Sequence, residues 1–280
     1  MKQLGRVHFT AGLFLGLAAL LVYSEVFSVG VVGCIWFGVI RLLNSVAPRL
    51  PFSRLIHWMH AMTFEVPAFL SVAAMRFIPD RERVQGKGKP ILLVHGYMNH
   101  SSVWRYLRKR LESFGLGPIY TISLGHPFKS IREYAEKLKV KAEEISKETG
   151  RKDLILIGHS MGGLVSLWYA AKLAGPATVT DVITIASPLN GTPIAHIGLG
   201  PNAREMEPNS ALLQELRAGI ANCRDVRFHH LATKSDQLVF PGHSAVIPQN
   251  NHMIYEDIGH ASMLYSSRVS DQIVKWVGVP

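Results

Sequence analysis

Asp153-Leu-Ile-Leu-Ile-Gly-His-Ser160-Met-Gly-Gly163 decides the fold. An uninterrupted apolar run, too short for a helix of its own, reads as a buried strand. It ends in Gly158-His159-Ser160-Met161-Gly162, and the residues that follow, Met161 to Leu173, read as a helix. G-x-S-x-G between a strand and a helix is a nucleophile elbow. Its serine sits on a sharp turn with strained backbone angles. A side chain two positions to either side would strike neighbouring backbone, so glycine stands at 158 and 162, and Gly163 extends the tolerance. The turn lifts the Ser160 hydroxyl clear of the sheet at a helix N-terminus, where developing negative charge is favoured.

Working outward, apolar runs alternate with amphipathic stretches. Residues 91–96, 118–124, 179–187, 226–233 and 252–258 read as strands. Ser130 to Glu148 reads as a helix with Ile131, Tyr134, Leu138, Ala142 and Ile145 on one face, stopped by Gly150. A closing amphipathic helix spans about 265–277. Strands alternating with helices imply the α/β class, with a mostly parallel sheet covered on both faces.

A serine hydroxyl needs a base at neutral pH. Among 13 histidines, His260 follows the last predicted strand and precedes the closing helix, where such a fold presents its base. His252 and His243 are weaker candidates. His229 and His230 fall within a strand, and His159 adjoins the nucleophile, so packing roles suit these three. The acid belongs just past the penultimate strand, and Asp236 in TKSDQLV lies there. It would fix the histidine tautomer and stabilise the imidazolium. Asp225 and Asp257 compete. The oxyanion site needs two backbone N–H groups: Met161, directly after the serine, and Tyr97, in the turn that Gly96 permits.

VHGYMNHSSVW, IGHSMGG, and SDQLV followed by IGHASMLYSS resemble the α/β-hydrolase lipases, above all the small bacterial lipases without a large cap domain. ASPLNGTPIA and MEPNSALLQEL are similar to stretches in bacterial lipases. The resemblance covers residues 89–280 and implies the α/β-hydrolase fold. It also implies ester hydrolysis through an acyl-enzyme on Ser160, with His260 and Asp236, and no metal or cofactor. The glycine- and proline-rich segment 189–210 either lines the acyl site, with Met206 as an apolar contact, or is an ordinary surface loop. Thioesterase, amidase or acyl-transfer chemistry on the same triad is the alternative, and a non-catalytic membrane adaptor a remote one.

The N-terminal 88 residues depart from those small secreted lipases. Between Val7 and Ile40 the only formally charged side chain is Glu25. Apolar runs at 10–23 and 26–40 exceed a signal-peptide core. They read as a membrane segment within residues 1–44: one tilted span, or a hairpin with Glu25 at its tip. Lys2 and Arg6 before it and Arg41, Arg49 and Arg54 after it favour the hairpin, with both ends cytoplasmic. A buried core helix is the bland reading. Residues 45–88 read as an interfacial amphipathic segment, interrupted by Pro67, and a linker from Pro79 to Pro90. The catalytic domain is then 89–280. The expected location is a bacterial cytoplasmic membrane, with the side of the catalytic domain open.

The formal net charge of +10 fits this picture. The first 88 residues carry 9 basic and 4 acidic groups, and the remainder 21 and 16, so the shorter part is the more basic per residue. No basic run is interleaved with aromatics, which excludes a nucleic-acid partner and favours anionic head groups. Cys34 and Cys223 neither pair nor form metal spacing. Oligomeric state stays open.

Overall fold

The computed structural model describes residues 33–44, 52–78, 83–86, 88–175 and 178–278. The chain divides into two compact units between His60 and Ala61. In the first, α1 (residues 33–44) buries Ile40, and Asn44 Oδ1 lies 2.8 Å from His57 Nδ1. The long helix α2 (Ser53–Met75) begins in the first unit and continues into the second.

The second unit is built on a seven-stranded sheet: β1 (Arg83–Val84), β2 (Ile91–Val94), β3 (Ile119–Ile122), β4 (Leu154–His159), β5 (Val179–Ile185), β6 (Arg227–Thr233) and β7 (Asn251–Tyr255). Its spatial order is β1-β3-β2-β4-β5-β6-β7. Among the described residues only the short edge strand β1 runs antiparallel, on β3; the other pairs are parallel. The helices are α3 (Arg105–Ser113), α4 (Ile131–Thr149), α5 (Met161–Trp168), α6 (Pro201–Glu205), α7 (Ala211–Asn222) and α8 (Ser267–Val277).

The central strands are apolar on both faces because both faces are covered. Side chains alternate across a strand. Leu92, Val94, Leu154 and Leu156 therefore enter one core with α4, α5 and α7. Ile91, Leu93, Ile155 and Ile157 enter the other with α3 and α8. The period-2 pattern of ILLV and LILI thus builds two cores from one sheet. Helix α4 shows why the termini fall where they do. Ser130 and Glu133 form a capping box, and Gly150 closes the helix at φ 67°. Across the β5–β6 pair, the buried Asp181 accepts from Nε and Nη2 of Arg227, each at 2.8 Å, and from His229 Nε2 at 3.1 Å. Burial alone would raise the Asp181 carboxyl, but His229 and Arg227 hold it well below the usual range.

Two expectations change. Pro67 does not interrupt the amphipathic segment: α2 runs through it, and the Ser71 hydroxyl donates to the Pro67 carbonyl one turn on. The stretch read as a linker contributes strand β1, which covers the free edge of β3. The helix read over Met161–Leu173 has that extent, with its last turn, Tyr169–Leu173, widened to π geometry. The proposed membrane segment over 1–44 lies mostly outside the described residues. Among the described residues, no helix is long and apolar enough to cross a membrane.

Truncating a side chain at the sheet centre should destabilise the second unit strongly. Leu156→Ala, at a fully buried site, is expected to cost about 2–5 kcal/mol. The control Val140→Ala, on the exposed face of α4, should stay within about 0.5 kcal/mol. Urea unfolding of the two variants against wild type measures both.

Candidate active site

Ser160 stands between β4 and α5 with φ 55° and ψ −128°. For a residue with a Cβ this is a strained conformation, costing on the order of 1–3 kcal/mol. Two backbone bonds hold it: Ser160 N–H donates to the Ile185 carbonyl at 2.8 Å, and Gly163 N–H to the Ser160 carbonyl at 3.0 Å. The glycines are required by space. A Cβ on Gly158 would collide with the Gly162 carbonyl, and one on Gly162 with the Val94 carbonyl. One on Gly163 would strike the Ser187 hydroxyl.

The turn after β2 lies directly against the serine. A Cβ on Gly96 would sit 3.0 Å from Ser160 Cβ and 3.5 Å from its Oγ. Tyr97 follows, which brings its backbone to the same place. Met161 is the first residue of α5, so its N–H has no acceptor within the helix. The His95 ring fixes this turn. Its Nε2 accepts from Leu124 N–H at 3.0 Å, so Nδ1 carries the proton and donates to the Gly96 carbonyl at 3.0 Å. The ring spans from the end of β2 to the end of β3. That bridge gives the His-Gly pair a physical reason.

His260 and Asp236 come together. The Asp236 carboxylate lies 2.9 and 3.0 Å from His260 Nδ1, and both side chains are buried. Asp236 is itself held by the N–H groups of Leu238 at 2.9 Å and Val239 at 2.7 Å. With Nδ1–H donating to the Asp236 carboxylate, the other ring nitrogen is left as an acceptor. The His260 ring stands against His159, the residue before the serine, with centroids 4.7 Å apart. His159 Nε2 donates to the His260 carbonyl at 3.2 Å. Burial pushes the His260 imidazole down, but the charge and hydrogen bond of Asp236, with Glu65 behind, carry it above its ordinary value. His159, also buried, is pushed well below by desolvation and by His260.

The competitors go elsewhere. Asp257 pairs with Arg268 at 2.7 Å, and Asp225 is exposed. His252 and His243 are exposed. His229 joins Asp181 and stacks on Trp276, and His230 lies 2.9 Å from the Thr184 hydroxyl.

A cavity of about 240 Å³ opens at Ser160. Ile194, Ala195, Ile197, Met206, Leu238 and Val239 make it apolar. Segment 189–210 therefore forms its wall, and Met206 lines it. The wall is tied down at several points. The Tyr97 hydroxyl donates to the Leu199 carbonyl at 2.8 Å and accepts from the Leu199 N–H at 2.9 Å. The Thr192 hydroxyl donates to the Leu238 carbonyl at 2.7 Å. Buried Asn202 donates to the Pro127 carbonyl at 2.8 Å. Among the described residues no cluster of His, Cys, Asp or Glu could hold a metal ion.

Two residues escaped the sequence reading. Gln237 accepts the His260 N–H on Oε1 at 3.3 Å. Glu65, on α2, accepts the N–H groups of Ala261 at 2.6 Å and Ser262 at 2.9 Å, and the Ser262 hydroxyl at 2.6 Å. The available signal for Glu65 was that no other acid occurs between Glu25 and Asp80.

Residues 91–261 match the alpha/beta hydrolase family. A triacylglycerol lipase of Burkholderia plantarii is 29% identical over 164 residues, covering 55% of this chain and 44% of the lipase. A pimeloyl-[acyl-carrier protein] methyl ester esterase of Vibrio vulnificus is 32% identical over 106 residues, 38% of this chain and 39% of that enzyme. The chain thus spans less than half the length of these curated relatives. The crystal structure of a mature Bacillus licheniformis lipase superposes with a TM-score of 0.57 at 19% identity, covering 72% of this chain and 94% of the lipase. That likeness is one of fold: the seven-stranded sheet and its helices form an α/β-hydrolase fold.

The buried histidines set an acid limit. Desolvation, the largest influence on each, pushes His95 down to about 4 and His230 to about 3. In the unfolded chain both titrate near 6.5. Between these values the unfolded state binds more protons, so stability falls as pH falls. The His95 contribution alone is on the order of 3 kcal/mol. His260 acts in the opposite sense and in another window, since its raised value gives stability that is lost as pH rises above 6.5. Calorimetry should show Tm dropping steadily from pH 6.5 to 4, and less steeply in His95→Gln.

Proposed function

The chain belongs to the alpha/beta hydrolase family, and from that premise we propose that it hydrolyses carboxylic esters with an apolar acyl group, through an acyl-enzyme on Ser160. The observation that carries the reading is the buried His260–Asp236 pair against the elbow of Ser160, at the mouth of an apolar cavity. The lipase and esterase relatives support the same reaction class.

The steps follow from the groups present. His260, with Nδ1 bonded to Asp236, takes the hydroxyl proton of Ser160 on Nε2 as Oγ attacks the ester carbonyl. The carbonyl oxygen becomes negative and is met by the backbone N–H groups of Tyr97 and Met161. The C–O bond breaks, the alcohol leaves with the proton from His260, and the acyl chain stays on Ser160 in the cavity. Water then gives its proton to His260, attacks the acyl carbon, and frees the acid and Ser160. Asp236 stabilises the imidazolium in both halves.

The lipid character of the substrate and attachment to a membrane belong to the same proposal. A cavity of about 240 Å³ suits part of an acyl chain. Its rim is apolar and open to solvent, with Ile197 79% and Leu199 63% exposed. On α2 the side chains of Val66, Phe69 and Leu70 are likewise exposed. Such surface suits a lipid interface, and the basic N-terminal 88 residues suit anionic head groups. We place the protein at a bacterial cytoplasmic membrane, held by its N-terminal apolar region.

With a p-nitrophenyl ester, Ser160→Ala, His260→Ala and Asp236→Asn should each lower kcat by on the order of 10³ or more, with the fold retained. Asp257→Asn should leave kcat within about threefold. A more damaging Asp257→Asn than Asp236→Asn would refute the assignment of the acid. Full-length protein should remain in the membrane pellet through alkaline carbonate. Its release would refute the anchor and leave the chemistry standing.

A further inference from the structure

The base is held from a part of the chain that precedes the sheet. Glu65 is buried, 3% exposed, inside an apolar stretch of α2. A carboxylate there needs donors close by. It finds three: Ala261 N–H, Ser262 N–H and the Ser262 hydroxyl, at 2.6 to 2.9 Å. On the other side of His260, Gly259 makes room for it, since a Cβ at that position would collide with Glu65 Oε2. The carboxylate therefore fills the concave side of the turn that carries His260.

We infer that Glu65 is a positioning residue for the base: its carboxylate fixes the turn Gly259–Ser262, and with it the His260 ring, against the Ser160 elbow. This rests on the proposed reaction. The remaining polar contacts of the His260 backbone are too sparse to do this alone. Gln237 receives its N–H at 3.3 Å, and His159 reaches its carbonyl at 3.2 Å. Neither holds the Ala261 N–H, which lies in the peptide plane leaving His260 and so helps to fix its backbone frame.

Glu65 also contributes charge. The titratable groups that face His260 are Asp236, from the loop after β6, His159, at the end of β4, and Glu65, from α2. His159 stays neutral, so the carboxylates of Asp236 and Glu65 provide the field in which the imidazolium forms. Removing the Glu65 charge makes that cation less stable. The base form of His260 then persists to lower pH, and the acid limb of the rate profile moves down. A residue that merely packed α2 would leave that limb in place.

The test compares full-length wild type, Glu65→Gln, Ser262→Ala and Ser160→Ala on a p-nitrophenyl ester, with circular dichroism to report folding. Folded Glu65→Gln should lose about 10- to 100-fold in kcat, the range expected of a misplaced catalytic group. Its KM should stay within about twofold, because the cavity walls are untouched. Its acid limb should shift to lower pH. Ser262→Ala removes one donor and no charge, so it should lose several-fold in kcat with the limb unmoved. A folded Glu65→Gln with wild-type kcat would overturn the inference, as would a loss of kcat with no movement of the limb. If Glu65→Gln does not fold, Ser262→Ala decides: a several-fold loss at constant KM supports the clamp, and wild-type kcat overturns it. Ser160→Ala at wild-type activity would instead remove the reaction itself, and the inference with it.

Discussion

The structure depends on one strained residue. Ser160 holds a positive φ between a buried strand and a helix, and the chain must pack closely around it. The carbonyls of Val94 and Gly162 lie where side chains of neighbouring residues would otherwise be. That closeness brings the end of β2 against the elbow and so puts Gly96 and Tyr97 beside the hydroxyl. The strain is small against the apolar burial on both faces of β4, where Leu154, Leu156, Ile155 and Ile157 feed two separate cores. A loosely packed sheet would let the turn relax, and the serine would lose both its exposure and its neighbours.

Around that turn the polar groups form one connected arrangement with little left to chance. His95 ties the β2 turn to the chain after β3. Asp236 is fixed by two backbone donors before it meets His260. The backbone of His260 is then held from three directions, by Gln237, by His159, and through the following residues by Glu65. Most of these bonds are buried, where an unpaired partner would cost about 1–3 kcal/mol. The cavity wall is fastened by the same means, with the Tyr97 hydroxyl and Leu199 closing one side and Thr192 and Leu238 the other. Groups held this way need little reorganisation when charge develops, and that is the basis of electrostatic catalysis.

What the sequence revealed follows the range of the interactions. Local patterns were legible: the apolar runs ILLV and LILI as buried strands, the amphipathic helix from Ser130 with Gly150 as its stop, and the strand-turn-helix around Ser160. The pairing of His260 with Asp236 could be anticipated because the order of elements places them after particular strands. The role of Glu65 could not, since its partners lie 196 and 197 residues away and α2 carries no motif. Its apolar surroundings suggested an interfacial helix, and half of that remains visible in the exposed Val66, Phe69 and Leu70. Strand β1 was hidden for a different reason. Two residues, Arg83 and Val84, are too few to show a period, and only the edge of β3 makes them a strand. Pro67 misled because a lost donor is a local cost, which packing along the rest of a long helix can outweigh.

The central claim is that the strained serine is the group that reacts. Its most direct test is a fluorophosphonate on the full-length protein, followed by mass spectrometry of the digested adduct. The account predicts a single modification, on the peptide containing Ser160, that is slowed in His260→Ala and absent in Ser160→Ala. An adduct on another residue, or equal labelling of Ser160→Ala, would contradict it.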